Sequence, residues 1–333
     1  MPEVLVRARG LTKRFSGFTA VDGIDFDLIR GEAFGFLGPN GAGKSSTMRM
    51  LGCVSPPTQG DLTILGGDPV RDGAAIRARL GVVPQEDTLD SELSVRENLL
   101  VYGRYFGLPR KLISERTDQL LDFVQLTERA GDQVEPLSGG MKRRLTIARS
   151  LINDPDILIL DEPTTGLDPQ ARHVVWDRLF RLKQRGVTLI LTTHYMDEAE
   201  QLCDRLVVMD HGKIAAEGTP RELITQYSTP EVLELRFAPE DYDEAVLKIK
   251  ELQDESAPDT MAPAIGRAAG GYGGASTRTM TVLTADRLLL YAADGDEFLA
   301  RVRHAGLEPL TELVRRSTLE DVFLHLTGRT LID

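Results

Sequence analysis

Gly38-Pro39-Asn40-Gly41-Ala42-Gly43-Lys44-Ser45-Ser46 fits the pattern G-x-x-x-x-G-K-[ST], with a short apolar run, Ala33 to Leu37, before it and a helical segment, Thr47 to Leu51, after it. Such a loop cradles phosphate. Its glycines let the backbone fold back so that successive N–H groups point inward, toward the positive end of the following helix. Lys44 then reaches the β- and γ-phosphates, and the Ser45 hydroxyl is a magnesium ligand. An ordinary Gly-rich turn is the competing reading, and the order strand, loop, helix favours the cradle.

Further groups could act on the same phosphates. Ile157 to Leu160 is a continuous apolar run suited to a strand covered on both faces, and it ends in Asp161-Glu162. Strand side chains alternate, so these carboxylates reach one site only if the chain turns there. Asp161 would then hold magnesium while Glu162 polarises a water for in-line attack. An acidic helix cap is the plainer alternative. His194 ends another apolar run and could hydrogen-bond the γ-phosphate or the water. Gln85, read as the end of a strand, offers a carbonyl oxygen to a cation and an amide to a water. Ser138-Gly139-Gly140 stands at a helix N-terminus and makes a second anion site. Phe15 has two readings, an adenine-stacking ring or a half-buried strand aromatic.

Composition narrows the setting. The chain has 333 residues, 41% hydrophobic and 27% charged, which suits a soluble globular protein with room for two domains. Its formal net charge of −12 opposes non-specific binding to nucleic acid. No apolar run approaches the roughly 18 to 20 residues of a membrane span, and the N-terminus lacks a signal-peptide pattern, so a cytoplasmic location is expected. The two cysteines, Cys53 and Cys203, are expected as reduced, packed thiols.

Antiparallel strands are expected over 3–9, Leu11 to Phe15 and Ala20 to Leu28, and a largely helical region over 86–137. A helix there carries Ile113, Thr117, Leu120, Leu121 and Val124 as a core-facing stripe. Arg205 to Asp210 and Lys213 to Gly218 read as a hairpin turning at His211-Gly212, and the nucleotide domain should close near residue 227. Residues 228–333 show a β-α-β-β-α-β order, a split βαβ pattern, interrupted by a Gly/Ala/Pro-rich flexible loop at about 254–276 and closed by a helix from Leu319 to Leu326.

The ordered set of phosphate loop, Gln85, Leu137 to Met141, Ile157 to Glu162 and His194 resembles the ATP-binding subunits of ABC transporters over residues 4 to 225. Asp168 matches that family's aspartate-containing loop. Phe15 stands where a tyrosine is more usual, and Met141 where many relatives have glutamine. Ser317 to Phe323 is similar to the tail of the drug-exporting and nodulation-factor-exporting branches. The resemblance implies an α/β P-loop fold of ABC type, with a mixed sheet, an antiparallel β subdomain and a helical subdomain, plus a small α+β C-terminal domain. It implies ATP and Mg2+ as ligands, with Asp168 among the nucleotide-binding residues. It also implies a head-to-tail homodimer in which Ser138, Gly139 and Gly140 cap the γ-phosphate held by the partner copy. Membrane permease subunits would be driven by that dimer, with this chain peripheral at the cytoplasmic face. A soluble ABC ATPase acting on ribosomes or DNA is the alternative. It is opposed by the single cassette and the absence of a long heptad run.

Overall fold

The computed structural model describes residues 3–254, 280–283 and 287–327. Contacts divide the chain into two units that meet at Pro220 and Arg221.

The first unit opens with β1 (Val4–Phe15) and β2 (Phe18–Ile29), paired antiparallel. The two segments expected over 3–15 are one strand, whose register shifts between Ala8 and Arg14 absorb the break in alternation. After β3 (Ala33–Leu37) and α1 (Lys44–Leu51), β4 (Gln59–Ile64) completes a three-stranded antiparallel sheet of order β2-β1-β4. Next come α2 (Gly73–Arg77), β5 (Leu80–Val83), α3 (Val95–Tyr105) and α4 (Arg110–Phe123). Within 86–137 the helices are confined to α3, α4 and a 3-10 turn at Thr127–Arg129, so the region is less helical than its composition suggests. Ser94 and Glu97 form a reciprocal capping box that starts α3. Ile113, Thr117 and Leu121 bury the inner stripe of α4.

The unit continues through α5 (Gly139–Ser150), β6 (Ile157–Asp161), α6 (Pro169–Gln184), β7 (Thr188–Thr193) and α7 (Met196–Leu202). The hairpin β8 (Arg205–Asp210) and β9 (Lys213–Gly218) ends it. The central sheet runs β5-β6-β7-β3-β8-β9 and is parallel except for its last pair. Every residue of β3 and β7 is buried, as strands covered on both faces require. Phe26 of β2 stacks on Phe34 and meets Phe36 edge-on, with centroids 5.9 and 5.2 Å away. Burying such side chains contributes about 1.5 to 3 kcal/mol each and fixes the antiparallel sheet against the strand that feeds the phosphate loop.

From α8 (Pro220–Tyr227) the chain enters the second unit, which contains β10 (Glu231–Arg236), α9 (Tyr242–Asp254), β11 (Met280–Leu283), β12 (Leu288–Ala292), α10 (Gly295–His304), β13 (Thr311–Arg316) and α11 (Leu319–Thr327). Its antiparallel sheet has the order β11-β12-β10-β13, the arrangement that a split βαβ pattern produces. Leu233, Leu235, Leu288 and Leu290 pack with Ala245 and Ile249 of α9 and with Phe298 and Val302 of α10. Asp254 closes α9, and the rest of the loop expected at 254–276 lies outside the described residues.

Candidate functional site

Adjacent parallel strands carry the candidate residues to one sheet edge. In the order β6-β7-β3, Asp161 lies opposite Thr192, and Thr193 opposite Leu37, the residue before the phosphate loop. Ligands of open α/β sheets bind beyond such carboxyl ends.

The loop itself is fixed by close backbone approach. A Cβ on Gly38 would overlap the Met209 carbonyl, and one on Gly43 the Ala20 carbonyl. Gly43, with φ 103°, is the N-cap of α1 and supplies no side chain, so the first N–H groups of that helix are left for a ligand. Lys44 Nζ donates to Gly38 O at 2.6 Å and Pro39 O at 3.0 Å, and lies 3.9 Å from Glu162 Oε1. Burial draws its ammonium below the usual lysine range, against the pull of Glu162 and Asp161.

Glu162 supplies the turn that two adjacent carboxylates need. Its φ of 46° is left-handed, a strain of about 1 to 2 kcal/mol for a residue with a side chain, and its carboxylate lies 3.9 Å from Lys44 Nζ, an ammonium that also interacts with Asp161. Thr192 secures both: its hydroxyl donates to Asp161 Oδ1 at 2.5 Å and accepts from Glu162 N at 3.0 Å. Ser45 Oγ lies 3.5 Å from Asp161 Oδ1. A hydroxyl and a carboxylate so placed are hard oxygen donors that fit a shared Mg2+. Glu162 is 6% exposed. Its Oε2 accepts from Gln85 Nε2 and Thr165 Oγ1, each at 3.1 Å, and His194 Nδ1 stands 3.4 Å away. The neighbouring His194 ring, helped by Lys44 and Thr165, holds this carboxyl below its ordinary range despite burial. At that distance Nδ1 is misaligned for a hydrogen bond and remains a buried nitrogen without a partner.

Gln85 is not the end of a strand. β5 stops at Val83, and Pro84 carries Gln85 out over the site, where its amide engages Glu162 and its carbonyl is the atom that could face a cation. The cavity at the loop measures about 200 Å³ and is lined by Lys44, Ser45, Gln85, Glu162 and Phe18, with Pro39, Asn40, Gly41, Gly43 and Ser46 as the cradle. It falls below the roughly 300 Å³ at which pockets begin to enclose a drug-sized ligand. Phe15, 49% exposed at the end of β1, is not part of that wall, whereas Phe18 across the hairpin is, with 59% exposure.

Ser138, Gly139, Gly140 and Asp168 are not part of the cavity wall either. Ser138 is the N-cap of α5 and accepts from Met141 N at 3.3 Å, which leaves its O–H proton able to point outward. Asp168 caps α6 through Ala171 N at 2.8 Å. Both side chains are exposed. Thr164 donates to Glu198 Oε1, as does Trp176, so the segment after Glu162 is pinned to α7, the helix after His194. Phe18, Thr192 and Thr165 escaped the sequence reading. An aromatic three residues beyond Phe15 was a visible signal for the first, whereas Thr192 acquires meaning only from strand register and Thr165 only from the turn that brings it back to Glu162.

Residues 21–165 match the family model described as ABC transporter, and residues 273–328 match that of the C-terminal domain of nodulation factor export protein NodI. The chain is 44% identical to Nod factor export ATP-binding protein I of Paraburkholderia xenovorans, over 333 residues and all of both chains. It is 44% identical to the protein of the same name from a Rhizobium species, over 99% of each. Among solved structures, it resembles CbiO1 of Clostridium perfringens, described as part of the ABC transporter complex CbiONQ. That match has TM-score 0.62, 30% identity, and covers 67% of this chain and 91% of the other. It also resembles the dimeric ATP-binding cassette MJ0796 bound to ADP and Pi, with TM-score 0.59, 26% identity and coverage of 64% and 98%. The chain belongs to the ATP-binding, ATP-hydrolysing subunits of ABC transporters and carries a NodI-type C-terminal domain.

Proposed function

We propose that this ATPase is the energy-coupling subunit of an exporter, acting as a head-to-tail homodimer beneath separate permease subunits at the cytoplasmic face of a membrane. The carrying observation is the division of the site. Lys44, Ser45 and Glu162 line one cavity, Asp161 lies 3.5 Å from Ser45 and His194 3.4 Å from Glu162, while Ser138 and Gly139 are the exposed start of a helix that is no part of the cavity wall. A second copy supplies the missing wall in the dimer. The dimeric state of MJ0796 with ADP and Pi and the export names of the relatives support this reading.

In this scheme the uncapped start of α1 and Lys44 bind the β- and γ-phosphates, and Ser45 with Asp161 would hold Mg2+, which neutralises charge on the phosphate oxygens. Glu162 accepts a hydrogen bond from the attacking water and orients it in line with the γ-phosphate. His194 Nδ1 meets the phosphate or the same water, and Gln85 keeps the Glu162 carboxylate aimed. The adenine extends beyond the small cavity onto the aromatic hairpin. Phe18→Ala is therefore expected to weaken ATP binding by about 1 to 3 kcal/mol, the worth of one stacked base, and Phe15→Ala by less. Titration with a fluorescent ATP analogue checks this, and a larger loss at Phe15 would put the adenine on the other ring.

A groove of about 430 Å³ runs between Val82 and Pro84 at the end of β5 and Tyr102 and Tyr105 of α3, with Arg149 at its base. Tyr105 is 78% exposed there. The groove adjoins Gln85 and suits a short helix of a permease, so that docking and the Glu162 site share one connecting segment. Among the described residues no helix is long and apolar enough to cross a membrane, which leaves transport to such a partner. Extracted from membranes in mild detergent, the tagged protein should bring down an integral membrane protein. Recovery alone, or with ribosomes or DNA, would refute the proposal.

A further inference from the structure

Arg143, in the second turn of α5, has no described ion-pair partner and spends its guanidinium on backbone carbonyls. Nε donates to Pro163 O at 2.6 Å, and Nη2 to Asp161 O at 3.0 Å and Glu162 O at 3.1 Å. Nη1 donates to Pro84 O. Three of these four oxygens belong to the turn that contains the left-handed Glu162, and the fourth belongs to the residue before Gln85. Pro163 has no N–H to add to the two long backbone bonds of this turn, Glu162 N to Thr192 O at 3.2 Å and Thr165 N to Glu162 O at 3.4 Å. A planar fork of five donors can serve four carbonyls on two segments, whereas an ammonium has three donors on a single nitrogen.

We propose that Arg143 is a positioning residue for hydrolysis: it locks the strained Glu162 turn beside Gln85 and ties both to the helix that begins at Ser138. The tie gives α5 two jobs. Its N-terminus faces outward, and its second turn grips the backbone behind the carboxylates of its own chain. If Ser138 meets the nucleotide held by a partner copy, a reading this step borrows from the proposed function, then engagement of one nucleotide bears directly on Glu162 at the other. Arg143 would make ATP turnover cooperative between the two sites without touching either nucleotide. Burial lowers its guanidinium to about 10, so it stays charged at neutral pH and adds a fixed positive field near both carboxylates.

The test compares Arg143→Gln and Arg143→Lys with the full-length wild type. A misplacement of the order of 1 Å at the base should lower kcat on the order of a hundredfold. Affinity for a fluorescent ATP analogue should stay within about twofold, because ground-state binding is not what Arg143 serves. The Hill coefficient for ATP should drop toward unity, and lysine should restore only a minor part of kcat. Unchanged kcat and cooperativity in Arg143→Gln would overturn the proposal. So would a parallel loss of analogue binding and thermal stability, or failure of both variants to fold, since the guanidinium would then serve the fold at large. Sedimentation separates the borrowed reading: wild type that never dimerises with ATP removes the link to Ser138, while a selective loss of kcat in Arg143→Gln would still establish the positioning role.

Discussion

Glu162→Gln is expected to cut ATP hydrolysis on the order of a hundredfold or more while ATP binding persists, the effect of removing a general base of matched shape. Glutamine keeps the volume of a side chain that is 6% exposed, so packing is preserved. What is lost is the charge. Oε2 now collects Gln85, Thr165 and the approach of His194, and Oε1 faces Lys44 at 3.9 Å. An amide can accept from some of these donors but cannot draw a proton from water. Binding should survive because Lys44 and the N–H groups of α1 do not depend on that carboxylate. The variant should therefore accumulate as an ATP-bound dimer, visible by sedimentation as an ATP-dependent shift in mass. Because the wild-type carboxyl is held below its ordinary range, it remains ionised through neutral pH, and this group should cause no loss of rate until the solution is more acidic than an ordinary carboxylate would need. Normal turnover in the variant would move the base elsewhere. A monomer with bound ATP would refute closure by the isolated subunit.

The chemistry of this site was legible wherever one segment carries it whole. The phosphate loop reads directly, because Gly38 to Ser46 contains its own glycines, cation and hydroxyl in consecutive positions. Asp161 and His194 read almost as well, since continuous apolar runs announce buried parallel strands and polar residues at their ends have few plain explanations. The order of those strands was hidden. Nothing between residues 157 and 193 says that Asp161 will face Thr192, so the hydroxyl that joins the Asp161 carboxylate to the Glu162 N–H could not be found. Arg143 was hidden for the same reason, its partners being carbonyls that carry no side-chain signature. Gln85 was misplaced by a local effect: the apolar run Gly81 to Val83 suggests that the strand reaches it, but Pro84 cannot donate to a ladder and the pairing ends at Val83, two residues before Gln85. In the C-terminal unit, alternating runs and helical stretches disclosed the β-α-β-β-α-β order, while the buried ion cluster around Asp321 joins residues from four separate elements and left no trace in spacing.

That cluster carries the largest expected change in stability. Asp321 is 1% exposed at the start of α11, where its Oδ2 accepts from Thr318 N at 2.8 Å and Oγ1 at 3.1 Å, closing the cap of the helix. Arg315 of β13 meets it with two bonds, 2.7 Å to Oδ2 and 3.0 Å to Oδ1, and Tyr291 of β12 donates at 2.9 Å. Arg315 also reaches Glu234 of β10 at 2.5 Å. One carboxylate thus fastens α11 to the sheet. Asp321→Ala would strand the Tyr291 hydroxyl, remove the cap and leave Arg315 with Glu234 and the Arg316 carbonyl. Breaking a buried pair in this way costs about 3 to 5 kcal/mol, and the low end applies because the Arg315 side chain is 25% exposed. Against typical stabilities of about 5 to 15 kcal/mol that is a large fraction. Amide hydrogen exchange should report it as lost protection in β10, β12 and α11. The pH dependence has a definite sign. Burial raises the Asp321 carboxyl, but Arg315, the Thr318 N–H and Tyr291 outweigh it and hold the folded-state value below the ordinary one. The stabilisation is therefore complete above the unfolded value, about 3.9, and is lost as pH falls through the depressed folded value. Asp321→Asn keeps an acceptor for Tyr291 and should lose less than the alanine variant, while its protection no longer declines with acid through this group. Equal protection in wild type and Asp321→Ala would mean that α11 is held by Val322, Phe323 and Leu324 alone, with the ion cluster contributing nothing measurable.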